Sequence, residues 1–591
     1  MTGPSAPIYT SAPLTRRQQY ELWRSELKNE RTSFISHWNE LCDFILPRRG
    51  RFALSDVNRG DRRSKNIIDS TGTFASRTLG SGMHSGMTSP ARPWFEYGVS
   101  DPVLNELPAV KAWLHEVSKI VHAVFAKTNL YKALPTLYQD AGVFATGAMI
   151  HLEDDEDVAH FDTFPIGSYM IGTDDRGRVR TFIREYTLKV HQIIQRFAPI
   201  VDGVHDMRNI STQVQDLWRT GSRNASVEVV HIIVPNEFHD KEGGHLVSPS
   251  KKAFVECYYE VGADRTWYGG MKEVFLKTGG YDEFPVYAFR WEVAGEDSYG
   301  TNCPGMTALG DIKQLQHGEK RGAQALDLLV KPPMKGPTSM KSAKASIITG
   351  DMTYVDEQND KGGFKPVFEI RPDLDKLEAK QEQKRFLIRR AFHEDLFLQM
   401  INDTRLQRAT AREVDERHEE KLLALGPVLE QVTRDVLDPL TTRQFNICLR
   451  KGLLPEPPEE LRGQPLKVEY KSIMATAMKM IGLSSLDRFT ASMVQIATVQ
   501  PDILDGINTD EVVDAYHDMT GVPPKLLRDP KERDAIRAAR AKQAQQAQTA
   551  AVAKDAGQAA AALSSADSRS PNALTDLLAQ SRAPGAAQRV Q

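Results

Sequence analysis

Residues 75–95 read ASRTLGSGMHSGMTSPARPWF, a stretch in which small side chains interrupt a helical apolar pattern. The apolar residues recur near one face and predict a helix over 66–87. Its end is crowded with small residues: Gly80, Gly82, Ser85 and Gly86. Because each glycine inside a helix costs roughly 1 kcal/mol, this run indicates either close backbone packing or a frayed helix end. Pro90 and Pro93 prevent the helix from continuing, and 94–97 (WFEY) is predicted to begin a strand.

The flanking sequence divides into helical and sheet-rich segments. Residues 14–46 carry apolar side chains at spacings of three and four, which predicts an amphipathic helix, and 108–147 is also predicted to be helical. Short β-prone runs separated by Gly-, Asp- and Pro-rich turns predict a sheet-rich block of meandering strands over 148–292. Beyond residue 300 the chain is charged, and helices are predicted over 305–330 and 374–402.

The remaining segments are shorter or less regular. Residues 331–373 are punctuated by Gly and Pro and are β-prone. A helix beginning at Thr410 is expected to kink at Pro427. One strand is predicted at 466–470 (LKVEY), and 472–530 is predicted to be helical with breaks.

The C-terminal segment 531–591 has a different composition, rich in Ala and Gln and poor in large apolar residues. Ala favours a helix, but such a helix has little to bury by itself. We therefore expect this tail to be disordered, or helical only when neighbouring copies pack beside it.

Composition excludes several classes of protein. The 591 residues are 40% hydrophobic, which supports a large core and excludes wholesale disorder. No run approaches the roughly 18 apolar residues that a membrane-spanning helix needs, and the N-terminus lacks the layout of a signal peptide, so we expect the chain to fold where it is made. The net charge of −3 differs from the strongly positive charge that is typical of proteins that bind nucleic acid tightly. Any contact with DNA is therefore expected to be local or weak.

Motifs for catalysis are absent from the sequence: it has no P-loop, dinucleotide fingerprint, G-x-S-x-G or H-E-x-x-H pattern, and its four cysteines form no C-x-x-C pair. The acidic cluster at 151–162 (HLEDDEDVAHFD) offers carboxylate and imidazole groups that could bind a divalent ion. Adjacent residues of a strand alternate between faces, however, so the pattern favours an exposed turn between two strands. We predict no catalytic residue, no metal site and no cofactor.

Two groups of basic residues are candidates for contact with a polyanion. Lys384 and Arg385 lie on the 374–402 helix beside acidic residues, so an ordinary charged face with internal ion pairs is the alternative. Arg405 and Arg408 flank a break between two predicted helices. A loop held between rigid helices is a natural place for such a contact, although a simple solvated turn is equally consistent with the sequence.

The stretch 75–95 closely resembles the signature of the head-to-tail connecting (portal) proteins of short-tailed bacteriophages. The resemblance continues in order along the chain. Residues 310–313 (GDIK) open a helix that stops at Pro-Pro, residues 410–414 (TAREV) match the family's helix after its channel loop, and residues 466–470 match a late strand. The matches span about 65–480, and four of them in sequence form a specific signal.

The resemblance implies an α+β portal fold with a mixed α/β wing, two long antiparallel stem helices, a small α/β clip and a helical crown. Its parts would be the wing at 1–304, the first stem helix at 305–330, the clip at 331–373, the second stem helix at 374–402, the channel (tunnel) loop at 403–409, a kinked wing helix and strand at 410–471, the crown at 472–530, and the tail at 531–591, either disordered or part of a helical barrel.

The resemblance also implies a function. Such proteins form a homo-oligomeric ring, usually of twelve subunits, around a channel at one capsid vertex of the virion, and are made in the host cytoplasm. Double-stranded viral DNA passes through the channel. The implied protein partners are the terminase large subunit, head-tail adaptor or tail proteins, and the major capsid and scaffolding proteins, with no membrane and no enzymatic step.

Residue roles follow from this assignment. Arg405 and Arg408 would contact DNA from the channel loop, and Lys384 and Arg385 would line the channel wall. Clip residues that would face docking partners are Lys335, Lys341 and Lys344. Two alternatives stay open: another virion structural protein, such as a capsid or ejected internal protein, and a metal-dependent hydrolase that uses the cluster at 151–162.

Overall fold

The structure is a computed structural model, and it describes residues 16–54, 60–105, 107–236, 252–262, 275–331, 334–335, 365–366, 373–401, 425–461, 463–471, 489–493, 495–496, 508, 511–513 and 530–565. The chain divides into two compact units, Met1–Ser492 and Met493–Gln591. Helices and antiparallel strands occur together in the first unit, which confirms the α+β class.

The described helices account for most of the regular structure. They are α1 (Arg16–Phe44), α2 (Thr71–Met87), α3 (Pro102–Asn105), α4 (Pro108–Lys127), α5 (Leu130–Phe144), α6 (Val190–Phe197), α7 (Thr212–Arg219), α8 (Pro304–Val330), α9 (Leu374–Ala391), α10 (Glu394–Ile401), α11 (Asp438–Arg450) and α12 (Pro530–Ser565). The predicted helices at 14–46 and 305–330 are confirmed by α1 and α8, both of which agree with the sequence pattern to within two residues at each end.

The strands are concentrated where the sequence predicted them. They are β1 (Phe95–Val99), β2 (Thr146–Asp154), β3 (Val158–Phe164), β4 (Tyr169–Thr173), β5 (Val179–Lys189), β6 (Ile200–Val201), β7 (Val204–His205), β8 (Ser226–Pro235), β9 (Phe254–Glu260), β10 (Lys277–Tyr281), β11 (Val286–Arg290), β12 (Met334–Lys335), β13 (Lys365–Pro366) and β14 (Leu466–Tyr470).

Two antiparallel sheets organise the block at 146–290. One has five strands in the order β10-β9-β8-β5-β4, and the other has three in the order β11-β2-β3. The strand predicted at 94–97 is β1, which pairs antiparallel with β14 so that Phe95 lies opposite Tyr470. Sequence-distant segments are therefore joined in one body, and a shared core of apolar side chains from α1, α2, α4, α5, α8 and both sheets lies between them.

The helix predicted over 66–87 begins later, at Thr71. The backbone N–H groups of residues 68, 69 and 71 form hydrogen bonds with side chains and not with a helical turn before them. The Asp69 carboxylate accepts the Thr71 N–H at 2.8 Å and so forms a local turn just before the helix. The backbone N–H groups of Ile68 and Asp69 donate to the side chain of Gln316, 2.7 and 2.8 Å away. The N–H groups of Ile68 and Asp69 are therefore hydrogen-bonded to a side chain of α8 and are not part of α2.

The single helix predicted over 108–147 is wrong in detail: α4 and α5 are separated at Thr128 and Asn129, and β2 already begins at Thr146. The Asn129 side chain explains the break. Its amide nitrogen donates to the Phe161 carbonyl at 2.7 Å, and its oxygen accepts the Phe161 N–H at 2.8 Å. Asn129 thus satisfies the backbone of β3 at the edge of the three-stranded sheet.

The single helix predicted over 374–402 is also wrong, because α9 ends at Ala391 and α10 starts at Glu394. His393 adopts a left-handed conformation with φ of 54°, which ends an α-helix. Its carbonyl then accepts the N–H groups of Leu396 and Phe397 and begins α10. The turn buries Phe392 together with these two side chains.

Several other predictions lie partly or wholly outside the described residues. These are the loop at 403–409, the start of the helix at Thr410, most of 331–373 and most of 472–530. The chain is helical again from 425 to 450, and Pro427 lies within this run. This helical run departs from regular α-helical hydrogen bonding after Pro427, where Thr433–Leu437 is π-helical. Within that π-helical turn, Asp435 forms an ion pair with Arg290 of β11 at 3.2 Å.

The second unit contains α12, whose described side chains are mostly exposed. The tail is helical over Pro530–Ser565. Packing between copies of this helix stays a prediction.

Candidate functional site

The helices α8 and α9 form an antiparallel pair at the centre of the candidate site. Gly322 near the end of α8 lies beside Leu377 near the start of α9, whereas Asp311 near the start of α8 bonds Lys384 farther along α9. The order of partners reverses along the two helices, so they run in opposite directions. Gly322 has no side chain, which allows the two backbones to approach closely.

Lys384 and Arg385, two of the predicted DNA-contacting residues, are bonded to carboxylates of their own chain. Lys384 Nζ lies 2.7 Å from Asp311 Oδ1. The Arg385 guanidinium lies 2.9 Å from Asp69, 2.5 Å from Glu319 and 3.1 Å from Glu382. This arrangement matches the alternative of a charged face with internal pairs; contact with DNA from these residues stays a prediction.

The electrostatics around Arg385 and Asp69 favour the charged forms of these two side chains. Burial by itself would raise the pKa of Asp69, but hydrogen bonds from Thr71 and the Arg385 guanidinium outweigh it and lower that pKa. The hydrogen bond to Asp69 is also the main reason that the pKa of Arg385 is raised. The ion pair of Asp69 and Arg385 ties α9 to the turn before α2, and the bond of Arg385 to Glu319 ties α9 to α8.

Gln316 provides a second connection between α8 and this turn. Besides accepting the N–H groups of Ile68 and Asp69, its side-chain amide donates to the Asp69 carbonyl at 2.6 Å. Gln316 is buried, so these three bonds have no competition from water. Sequence analysis missed Gln316 because a glutamine on a helix carries no signal. Asp69 could have been found as an aspartate that favours a turn two residues before Thr71.

The small residues of α2 allow close packing, the first of the two possibilities raised by the sequence. A Cβ at Gly82 would overlap the Phe397 ring of α10, and a Cβ at Gly72 would lie 2.9 Å from the Ile312 side chain of α8. Real Cβ atoms do not approach neighbours so closely. Gly82, within the stretch at 75–95, therefore allows α2 to pack against α10, and Gly72, just before that stretch, allows it to pack against α8.

The other predicted contact residues can be placed only in part. Arg405, Arg408, Lys341 and Lys344 lie outside the described residues. Lys335 lies in β12, whose backbone pairs with β13 so that Lys335 is opposite Lys365. This pairing brings the two ends of the segment at 331–373 together.

The acidic cluster at 151–162 forms the exposed turn that the sequence favoured. It spans the hairpin of β2 and β3, and the Asp154 carboxylate accepts the backbone N–H groups of Glu156 and Asp157. His151 is buried, and its Nδ1 lies 2.8 Å from the Tyr287 hydroxyl; burial and the nearby Arg443 hold its pKa well below the usual value. Within the described ranges, no group of three His, Cys, Asp or Glu side chains could hold a metal ion.

Over the part of the chain that the structure describes, no helix is both long enough and apolar enough to cross a bilayer.

Comparison with known proteins identifies the family of the chain. The model of the family described as bacteriophage head to tail connecting protein matches residues 17–527. A portal protein of Salmonella phage epsilon15 is 43% identical over 560 residues, covering 95% of this chain and 97% of that protein. A probable portal protein of Bordetella phage BPP-1 is 41% identical over 557 residues, covering 93% and 96% respectively. With a family model across most of its length and relatives of matching extent, the chain belongs to the bacteriophage head-to-tail connecting proteins.

Proposed function

We propose that this connector assembles into a ring, of twelve copies, around a channel at one capsid vertex, and that double-stranded viral DNA enters and leaves through it. The observation that carries the ring is a set of large apolar side chains on the α8–α9 pair that the single chain leaves exposed: Leu326, Leu328, Leu329 and Val330 at the end of α8, and Phe386 on α9, two residues beyond the partner of Asp311. Because each is already partly buried, covering its exposed part would contribute roughly 0.6–2 kcal/mol.

The placement of these side chains favours a cyclic assembly. Leu328, Leu329 and Val330 are consecutive, so they point to different sides of α8 and cannot all be covered by one neighbour on one face. In a ring, one surface of each subunit packs against a different surface of the next, and every subunit has a neighbour on both sides. Such packing covers two sides of each helix pair.

DNA would be held weakly in this channel. The chain has a net charge of −3, and the cations of Lys384 and Arg385 are already opposite carboxylates. Each tight phosphate contact increases the salt dependence of binding and would retard movement of the duplex. We assign the direct contact to Arg405 and Arg408 in the channel loop at 403–409, with Lys384 and Arg385 secondary.

The division of the chain into parts belongs to the same proposal. Residues 1–304 would form the wing, α8 and α9 the stem helices, 331–373 the clip, 410–471 the wing helix and strand, 472–530 the crown, and 531–591 a helical barrel. The clip, with Lys335, Lys341 and Lys344, would dock the terminase large subunit and later the head-tail adaptor. The major capsid and scaffolding proteins would contact the ring in the virion, after synthesis of the chain in the host cytoplasm.

No chemical step is assigned to the chain. The cleavage of ATP that drives packaging would belong to the terminase, and no cofactor is required for a conduit. Support for this reading comes from the family and from the acidic cluster at 151–162, whose side chains serve a hairpin turn.

The experiment compares Leu326→Asp with Leu22→Asp, since both side chains are 53% exposed and only Leu326 lies in the proposed interface. Sedimentation of the purified full-length chain measures assembly. We expect Leu326→Asp to lower the ring fraction at least tenfold and Leu22→Asp to leave it unchanged. Equal ring fractions for the two variants would remove the end of α8 from the interface.

A further inference from the structure

Residues 190–225 form an insert between two neighbouring strands of the five-stranded sheet. The strands β5 and β8 pair directly, with Lys189 opposite Ser226, so a short turn would suffice to connect them. The chain instead builds α6, the hairpin of β6 and β7, and α7. Apolar side chains of α6 and α7 pack in one cluster with Tyr186, Val229 and Tyr258 of the sheet. The insert is therefore an addition to the sheet and not a requirement of its pairing.

The tip of the β6–β7 hairpin presents apolar side chains to solvent. Ile200, Val201 and Val204 are 68%, 52% and 71% exposed. The turn between the strands is tight, because Asp202 and Gly203 both have positive φ, of 51° and 80°. Two positive φ values are the requirement of a type I′ hairpin turn. With β-branched side chains on a fixed turn, the tip loses little conformational entropy when a partner covers it.

A cavity of about 520 Å³ opens beside the hairpin and would admit one or two side chains. Its lining is mostly apolar and includes Ile194, Ile200 and Trp218. Two histidines of the lining can also form hydrogen bonds with a guest. His191 Nδ1 lies 3.1 Å from the Arg223 carbonyl and His205 Nδ1 3.1 Å from the Ala198 carbonyl. Since a carbonyl only accepts, each neutral ring donates from Nδ1 and keeps Nε2 as an acceptor.

The charge around the insert is positive, in contrast to the chain as a whole. Asp206 and Asp216 each form an ion pair with an arginine of the insert, Arg208 and Arg219 respectively. Three further cations are exposed and, among the described residues, form no ion pair with a carboxylate: Lys189, Arg196 and Arg223.

Arg223 lies beside a residue that lines the cavity, with its guanidinium 4.8 Å from the centre of the Trp218 ring. Asp202 at the hairpin turn is the single acidic residue left to oppose these cations within 189–226.

We propose that the hairpin tip and the adjacent cavity form a docking site for an acidic, apolar segment of another virion protein. Apolar side chains of the segment cover the tip and enter the cavity, and its carboxylates meet Lys189, Arg196 and Arg223. A second copy of the insert would bring like charges together, and DNA would meet an apolar tip with Asp202 at its end. This inference rests on the proposed function for the choice of a virion protein as partner.

The test places the photoreactive residue p-benzoylphenylalanine at Val201 of the full-length chain, supplied to phage that lack their own copy. Leu22 is the matched control position, since the two side chains are 52% and 53% exposed. Mature particles are irradiated and the cross-linked peptides are sequenced. We expect Val201 to join a peptide of another virion protein in which Asp or Glu flanks apolar residues, and Leu22 not to join that peptide. In the same particles, Arg223→Glu is expected to lower the yield of this product at least tenfold.

A product with a second copy of this chain, a product with a peptide that lacks carboxylates, or no product from Val201 would each overturn the inference. Ring formation by the same protein is recorded separately. Failure of the unsubstituted chain to form rings counts against the connector proposal, whereas intact rings without the expected product count against the docking site alone.

Discussion

Arg385 of α9 lies 2.9 Å, Nε to Oδ2, from Asp69 in the turn that precedes α2, although 316 positions separate the two residues. The same guanidinium bonds Glu319 of α8. One side chain therefore joins both long helices to the start of the glycine-rich helix. We infer that the α8–α9 pair and α2 move as one body.

Removal of this connection is expected to weaken the protein without unfolding it. Arg385 is about a quarter exposed, so Arg385→Ala should lower the free energy of unfolding by roughly 1–2 kcal/mol, between the values for exposed and buried ion pairs. Thermal denaturation measures the loss. Arg389→Ala is the control, since its nearest carboxylates are 3.6 and 3.9 Å away, and an equal loss in both variants would contradict the special role of Arg385.

Gln316→Ala tests the second connection to the same turn. The substitution leaves the N–H groups of Ile68 and Asp69 without their acceptor, which should cost roughly 1–3 kcal/mol. Amide hydrogen exchange at 68–71 should accelerate at least tenfold. Gln324→Ala, on the exposed side of α8, provides the comparison, and unchanged exchange in Gln316→Ala would show that the turn holds without it.

Gly82→Ala tests the close contact of α2 with α10. The added methyl group would overlap the Phe397 ring, so we expect destabilisation of roughly 1–3 kcal/mol. Gly310→Ala on α8 is the matched change, because nothing lies within 4 Å of a Cβ there and helix propensity favours Ala. Calorimetry should give opposite signs for the two shifts in melting temperature; a neutral Gly82→Ala would contradict the packing argument.

Acid should destabilise the five-stranded sheet through Glu256. Burial alone would raise its pKa, but hydrogen bonds from His231, Tyr281 and Tyr258 outweigh burial and lower the pKa from 4.5 to about 2. A carboxyl whose pKa is lower in the folded state stabilises the fold above its unfolded value. That stability, roughly 3 kcal/mol, is then lost as pH falls from about 4.5 to about 2.

Glu256→Gln should flatten this pH dependence and lower stability at neutral pH, as read from denaturation at pH 7, 4 and 3. The same slope between pH 4.5 and 3 in both proteins would show that other groups control acid stability.

The double substitution Arg405→Ala with Arg408→Ala addresses the channel loop. We expect rings to form normally and packaged DNA per particle to decrease, because the proposed contacts to phosphate are lost. Quantification of encapsidated DNA and of infectious titre measures the effect. Wild-type values for both would remove the role assigned to this loop.

The sequence predicted local structure well where proline, glycine and turn residues marked the ends of helices and strands. The limits of α8 follow from Pro304 and from the Pro-Pro pair at 332–333, and the meandering strands follow from alternating β-prone runs and turns. The break between α9 and α10 was missed because its apolar pattern continues through Phe392 and Leu396. A left-handed histidine at 393 has no signature in sequence.

Partners of charged side chains were the least predictable feature. The sequence offered Lys384 and Arg385 either for DNA or for ion pairs within their own helix. Glu382 is a partner of that second kind, but the other carboxylates come from Asp311, Glu319 and Asp69, far away in sequence. Such pairs depend on which helices meet, and a single sequence does not specify that meeting. The glycines of α2 indicated close packing, but only the structure identifies Phe397 and Ile312 as the side chains that pack against them.

The most direct test of the account is the mass and shape of the purified full-length protein at moderate salt, by native mass spectrometry and electron microscopy. Twelve chains of 66.1 kDa would give a particle of roughly 0.8 MDa with cyclic symmetry, and images should show rings with a central hole. Monomers or dimers that persist even after co-expression with the phage scaffolding protein would contradict the ring.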